Sequence, residues 1–271
     1  RGAQEEAAAV DAFKSLSVTE PKGRVEGVVY AATRLLPTKA AHSVFSELAG
    51  LWRAAKHLLA IPSYRGIVIG LTAGSFASYA IAGFIVPFFA RSHPDFARSD
   101  VLLWLGLING TAYVLGVLVG GRLVDHYAKK DKAAYGWIPA IAMLANAPFF
   151  LGAMWVSNPV LSLVLWWPSH LLTGFYLGPC FALAQTLAPV SIRALSTAIF
   201  FFILNMIALG FGPTYVGIMS DVFAASYGSA TGLRIALSTV LVAGFVSIAA
   251  FIWLTKQINR DWAQATGEET S

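Results

Sequence analysis

From Ala133 to Ile192 the chain runs for 60 residues without an Asp, Glu, Lys or Arg. A helix rises about 1.5 Å per residue, so roughly 20 apolar residues cross the ~30 Å hydrocarbon core of a bilayer. A 60-residue uncharged run is therefore long enough to cross twice. Its one turn signal, Ser157-Asn158-Pro159, marks where it reverses. Val101 to Gly121 is also free of charge, and between the two uncharged stretches Arg122, Asp125, Lys129, Lys130, Asp131 and Lys132 crowd together in a chain only 12% charged. With 57% hydrophobic residues and a mean hydropathy of +0.66, a soluble core would leave too little polar surface to cover it.

Cutting the chain at charges and turn signals predicts an all-α membrane protein with six transmembrane helices, over about 66–90, 101–121, 136–156, 160–187, 194–220 and 233–255. The six-helix lobe covers 66–256, preceded by a cytoplasmic linker at 1–65 and followed by a cytoplasmic tail at 257–271. Orientation follows from cations in short loops, which stay cytoplasmic. One face carries Arg53, Lys56, Arg65, Arg122, Lys129, Lys130, Lys132, Arg193, Lys256 and Arg260; the other carries Arg91, Arg98 and Arg234. Both ends of the segment are expected to be cytoplasmic. Basic loops against anionic lipid account for the pI of about 9.4, so membrane lipids are expected partners and a nucleic acid is not.

The sequence opens without Met and without a basic n-region leading into a short apolar stretch, so it reads as a fragment with no signal peptide. Within the linker, near 44–59, Phe45, Leu48, Leu51, Trp52, Ala55, Leu58 and Leu59 recur at helical spacing opposite Arg53 and Lys56. This predicts an amphipathic helix, lying on the inner leaflet or docked on the ends of the spans. The single cysteine, Cys180, excludes an intrachain disulfide and a cysteine metal cluster. No cofactor or metal is expected. A nucleophile with a base, or an acid pair, at one depth would mark an enzyme, and apart from His170 the span interiors hold no such group, so no enzymatic activity is expected.

The crowded loop, GRLVDHYAKKD, sets Gly121, Leu123, Asp125, Lys129 and Lys130 in an order that resembles the loop motif of the major facilitator superfamily, G-x-L-x-D-(R/K)-x-G-(R/K)-(R/K). His126 and Ala128 depart from it, as in the weaker copy between helices eight and nine of that family. The resemblance implies that Gly121 permits close helix approach, that Asp125 caps a helix of a partner lobe, and that Lys129 and Lys130 hold the loop at the anionic surface. Tyr176 to Asp221, with its Leu-Gly-Pro, Arg-Ala-Leu and Gly-x-Gly-Pro elements, resembles helices ten and eleven of the bacterial spinster-like branch, and Ile61 to Gly66 fits the entry to helix seven. It implies the C-terminal lobe of such a transporter, helices seven to twelve, with an N-terminal six-helix lobe as partner and the proton-coupling acid in that lobe.

Counting inward from the span ends, Tyr79, Asn109, Thr111, Tyr113, Thr173, Tyr176 and Asn205 fall near the midplane, where transporters place their substrate. Asn109 and Tyr113 share a helical face, as do Phe201 with Asn205 and Trp166 with His170. Asn109, Tyr113 and Asn205 are expected to face one cavity; the alternative for the two amides is interhelical hydrogen bonding, and for His170 a bond to a neighbouring helix. Pro179 and Pro213 are expected to kink the fourth and fifth spans, as gates or as fixed shape. The pairs Gly70/Gly74, Gly106/Gly110, Gly116/Gly120 and Gly174/Gly178 read as helix-packing surfaces. Uncharged aromatic and amide side chains suit a small-molecule or lipid substrate. The spinster resemblance implies a lysophospholipid or sphingoid lipid, carried by alternating access in the bacterial inner membrane. A sugar or drug carrier, or a passive conduit, is the alternative.

Overall fold

The computed structural model describes residues 50–267, which hold helices and turns and no strand. The chain divides into two compact units, Arg1–Lys56 and His57–Ser271. The first part of the predicted amphipathic helix, 44–49, lies outside the described residues; residues 50–60 are helical, with Leu51 and Trp52 exposed.

Six helices of the second unit are long and apolar enough to cross a membrane: α1 (Pro62–Ser92), α2 (Arg98–Tyr127), α3 (Ala134–Trp155), α4 (Pro159–Thr186), α5 (Val190–Tyr227) and α6 (Ser229–Thr255). A short amphipathic α7 (Ile258–Thr266) follows in the stretch expected to be tail. The first helix starts at Pro62 rather than at 66, because proline at the first turn wastes no backbone donor and sets the helical φ in advance. The turn at Ser157–Pro159 forms as the sequence suggests: Asn158 Oδ1 accepts from the amides of Val160 (2.9 Å) and Leu161 (3.0 Å), and Pro159 opens α4.

Small residues let these helices meet at backbone distance. Along α1, Gly66, Gly70 and Gly74 lie one turn apart and receive Leu254, Phe251 and Ser247 of α6, and the Ser247 hydroxyl donates to Gly70 O at 2.7 Å. On α2, Gly116 and Gly120 press against the backbone of α4 at Leu171 to Phe175, with Gly174 facing back. Beside Gly106 and Gly110 there is open space, so the packing role read for that pair is corrected: they lie on the outward face of α2. Two apolar cores result. One, at the end where α1 begins, holds Tyr64, Val124, Ala134, Leu183, Phe200 and Leu254; the other, at the far end, holds Phe88, Val101, Met154, Leu163, Val216 and Leu233.

Helix irregularities fall at chemically defined places. Single π turns interrupt α2 at Asn109–Tyr113 and α5 at Asn205–Leu209. Pro213 has no N–H to give to the Leu209 carbonyl, so the wider turn ends where an ordinary helix would lose a bond. In α4 the helix breaks at Phe175–Tyr176 and restarts at Leu177, leaving Pro179 in the first turn of the new segment, where it costs no hydrogen bond. The expected kink is thus a break just before the proline. Further prolines stand inside α1 (Pro87), α3 (Pro139, Pro148) and α4 (Pro168).

The charged loop is anchored on one side. Asp131 Oδ1 accepts from Ala133 N (2.9 Å), opening α3, and from Asn259 Nδ2 (3.0 Å) of α7, while Lys132 Nζ lies 4.5 Å from the Trp262 ring centroid. Asp125, Lys129 and Lys130 are exposed, and Asp125 caps no helix among the described residues. The close approach assigned to Gly121 belongs within this unit to Gly120: a Cβ at Gly121 would meet nothing within 4 Å, whereas one at Gly120 would lie 2.7 Å from Phe175 O.

Candidate functional site

Between the two cores, where side chains of five helices fail to meet, lies a cavity of about 280 Å³. Its wall is apolar over most of its extent: Ile81, Ile85 and Val86 from α1, Leu105 from α2, Met143 and Phe150 from α3, Trp166 from α4, and Val240, Phe245 and Ile248 from α6. Polar groups enter at Ser78, Asn109, Asn146, Ser169, His170 and Thr173, and no Asp, Glu, Lys or Arg lines it.

The polar groups are mostly paired with one another across helices. His170 Nε2 lies 2.9 Å from Asn109 Oδ1, and Asn109 Nδ2 donates to Leu105 O at 2.7 Å. Since the amide nitrogen is committed to that carbonyl, its oxygen faces the ring, and His170 must donate through Nε2. A neutral ring then keeps its lone pair on Nδ1. Trp166 stacks on His170 (centroids 6.1 Å apart, planes at 19°), and Tyr113 lies against it at 5.3 Å. One helix over, Ser169 Oγ donates to Asn146 Oδ1 at 2.6 Å. Trp167 Nε1 donates to Thr111 Oγ1 (3.1 Å), whose own hydroxyl bonds Leu107 O (2.6 Å). Thr173 Oγ1 turns back to His170 O at 2.7 Å.

Of the residues singled out from sequence, Asn109, His170 and Thr173 line this cavity. Asn109 serves both readings, since it lines the space and bonds a neighbouring helix. Tyr113 backs the wall through His170, whereas Thr111 is exposed on α2 and bonds Trp167, which does not line the cavity. Tyr79 is half-buried against the core at the α1 start, and Tyr176 is sealed within it, 3.4 Å from Ser78 Oγ through its hydroxyl and beside Phe251. Asn205 and Phe201 do not join them. They lie on a shallow open groove of about 580 Å³ along α5, with Ala198, Phe202, Met206 and Leu209. Asn205 Nδ2 is spent on Phe201 O (2.8 Å), and the Phe201 ring stacks on Phe181 at 4.6 Å. The single cavity expected for Asn109, Tyr113 and Asn205 is therefore two separate surfaces. Sequence reasoning missed Asn146, Ser169 and Ser78; the i, i+3 relation of Trp166 to Ser169 and a midplane amide in α3 were the available signals.

At the far end, His93 is buried against Phe88 and Phe89 just past α1, and its Nε2 has no hydrogen-bond partner. Burial, followed by the nearby Arg234 cation, holds its pKa below the usual 6.5. Arg234 Nε donates to Ser92 Oγ (3.1 Å) and its guanidinium lies 5.9 Å from the Phe88 centroid. At the opposite end Asp261 of α7 is buried, accepts from Ser63 N at 2.8 Å at the start of α1, and pairs with Arg260 at 3.1 Å. The described residues contain no group of three or more His, Cys, Asp or Glu arranged to hold a metal.

No protein-family model matches the chain. A curated relative, an "MFS-type efflux pump" of Mycolicibacterium smegmatis, is 29% identical over 222 residues, covering 82% of this chain and 51% of its own length. Among solved structures, a bacterial homologue of the human lysosomal transporter Spinster matches in its inward-facing unoccupied form with a TM-score of 0.71, 18% identity, and coverage of 78% of this chain and 51% of the other. Its inward-facing occupied form matches with a TM-score of 0.69, 19% identity, and coverage of 76% and 51%. The chain spans about half the length of the relatives it matches. A six-helix unit with this outline, similar in sequence to an efflux pump of the superfamily, has the fold of half of a major facilitator superfamily transporter.

Proposed function

We propose that this unit is the C-terminal lobe of an alternating-access secondary transporter that exports an amphipathic molecule, and that the cavity between its two cores takes the apolar part of the cargo. The observation that carries the reading is the cavity itself: largely apolar, uncharged, and rimmed on one side by Asn109, Asn146, Ser169 and His170. At about 280 Å³ it falls just below the usual size of ligand pockets, roughly 300–1,000 Å³, so it suits a tail or a ring rather than a whole amphiphile. A charged headgroup finds no counter-charge here, and the partner lobe would supply it along with the proton-coupling acid. The lobe would sit in the inner membrane of a bacterium with both ends cytoplasmic.

A lysophospholipid or sphingoid lipid meets these requirements, and likeness to the Spinster homologue favours it. The efflux-pump relative favours a second reading, a drug-like amphiphile exported through the same cavity. Gly244 offers the test. It lines the cavity, and a Cβ there would meet nothing within 4 Å, so Gly244→Leu starts from an unhindered Cβ and takes up cavity space. Measured on the full transporter, binding of a lysophospholipid should weaken about four- to fifteenfold, the loss of one or two methylenes' worth of burial at about 0.8 kcal/mol each. Unaltered binding by a stably folded variant would place the cargo elsewhere.

A further inference from the structure

Positions 96 apart in α2 and α5 match in kind and in environment. Asn109 corresponds to Asn205, Ala112 to Ala208, Gly116 to Gly212, Gly121 to Gly217 and Asp125 to Asp221. Both asparagines open a π turn and both donate Nδ2 to the carbonyl four residues back, at 2.7 and 2.8 Å. Every fourth residue is buried in both, from Ala112 to Val124 and from Ala208 to Ser220. The packing partners correspond crosswise: Gly116 sits on the backbone of α4 at Leu171, and Gly212 on the backbone of α1 at Phe76 and Ala80. Helices α2 and α5 are thus two copies of one element, each packed on the helix that precedes the other by one, and they lie three crossings apart. Three is odd, so the second copy crosses in the opposite sense.

The inversion carries a consequence for one carboxylate. Asp125 ends the repeat at the end where α1 begins, beside the core residue Val124; Asp221 ends it at the opposite end, beside Ser220, whose hydroxyl receives Arg91 Nη1 at 3.4 Å. Each is exposed, follows the last buried residue of its helix, and has no hydrogen bond or ion pair with a described residue. We infer that Asp221 is a positioning residue of the outer face: it holds the partner lobe when that face is closed, as Asp125 does at the inner face, so that the two carboxylates stabilise opposite states of the transport cycle. The anion would serve each time at a helix N-terminus of the partner lobe, where free N–H groups and the macrodipole favour it. This inference rests on the two-lobe carrier reading above.

The test uses the full transporter with Cys180→Ala and one reporter cysteine at a time, at the equivalent positions Arg122 (inner) and Ile218 (outer), both exposed and three residues before the respective aspartates. Alkylation rates are read with an impermeant reagent from the matching side. Asp221→Asn opens the outer face, so it should lower the rate at the inner reporter by about two- to fivefold, and Asp125→Asn should lower the rate at the outer reporter by a similar factor. Each substitution alters its near reporter through local charge as well, so the far reporter decides. An inner rate unmoved by Asp221→Asn overturns the inference. If Asp125→Asn still moves the outer rate in that case, the carrier reading stands alone; if neither moves, both fall.

Discussion

Replacing Gly116 with alanine should pull α2 away from α4 and take the His170 site with it. A Cβ at 116 would run into the Leu171 carbonyl oxygen, and would lie 2.9 Å from the carbonyl carbon and 3.2 Å from Gly174 Cα. These are backbone atoms of a packed helix, so no side chain can swing aside. Relieving the carbonyl carbon alone to an ordinary 3.4 Å contact requires about 0.5 Å of separation, and the oxygen demands more. The bonds that cross this seam, His170 to Asn109 at 2.9 Å and Trp167 to Thr111 at 3.1 Å, would then stretch to about 3.4 Å and 3.6 Å or beyond. Overpacking costs about 1–3 kcal/mol, and two interhelical hydrogen bonds in a membrane protein add roughly 0.6 kcal/mol each, for a total of about 2–4 kcal/mol. Thermal unfolding in detergent or nanodiscs measures this, with Gly106→Ala as the control because a Cβ there meets nothing within 4 Å. If both alanine variants unfold within about 0.5 kcal/mol of each other, the close approach is not what holds the two helices together.

Three further outcomes follow from the same contacts. The depressed pKa of His93 means that the unfolded chain binds a proton first as pH falls through 6.5, so stability should be level above that pH and decline below it; His93→Leu should flatten the decline, read from melting temperature between pH 7 and pH 5. Asp261→Asn keeps the shape of the side chain but removes the anion from the start of α1 and from Arg260, and should cost about 1–2 kcal/mol in the same melt, with no loss indicating that α7 does not hold α1. Cysteines at Lys130 and Gln264 should be labelled only from the cytoplasmic side and one at Asn158 only from outside; labelling of Lys130 and Asn158 from one side would refute the six-span topology.

The helices themselves were legible because the signal that carries them is crude: long uncharged runs, punctuated by Asn158-Pro159 and by the charged loop. Counting inward from span ends led to Asn109 and Thr173, and the search for an ionisable group inside a span led to His170; all three line the cavity. Direction around the helix axis was not legible. An i, i+4 rule assumes 3.6 residues per turn throughout, and the π turns at Asn109–Tyr113 and Asn205–Leu209 each insert a residue that rotates everything beyond it. Asn109 and Asn205, equal in type and each opening a π turn, face different surfaces because α2 borders the cavity and α5 contributes nothing to its wall, and which helices surround a cavity is not written in the periodicity of any one of them. The glycines show the same limit: Gly120 and Gly121 are adjacent and chemically identical, and only the facing Phe175 backbone tells which one is needed. Asn146 and Ser169 escaped notice because a midplane amide paired with a serine looks, in sequence, like any polar residue inside a span.

The central claim is that a saturable carrier moves an amphiphile whose apolar part enters this lobe. Counterflow tests it most directly: the full transporter is reconstituted in vesicles loaded with unlabelled lysophospholipid, and uptake of a labelled tracer is followed with and without Gly244→Leu. The account predicts a transient overshoot of tracer that saturates with concentration and collapses in the variant. Linear uptake with no overshoot, or an overshoot that the filled cavity leaves unchanged, would contradict it.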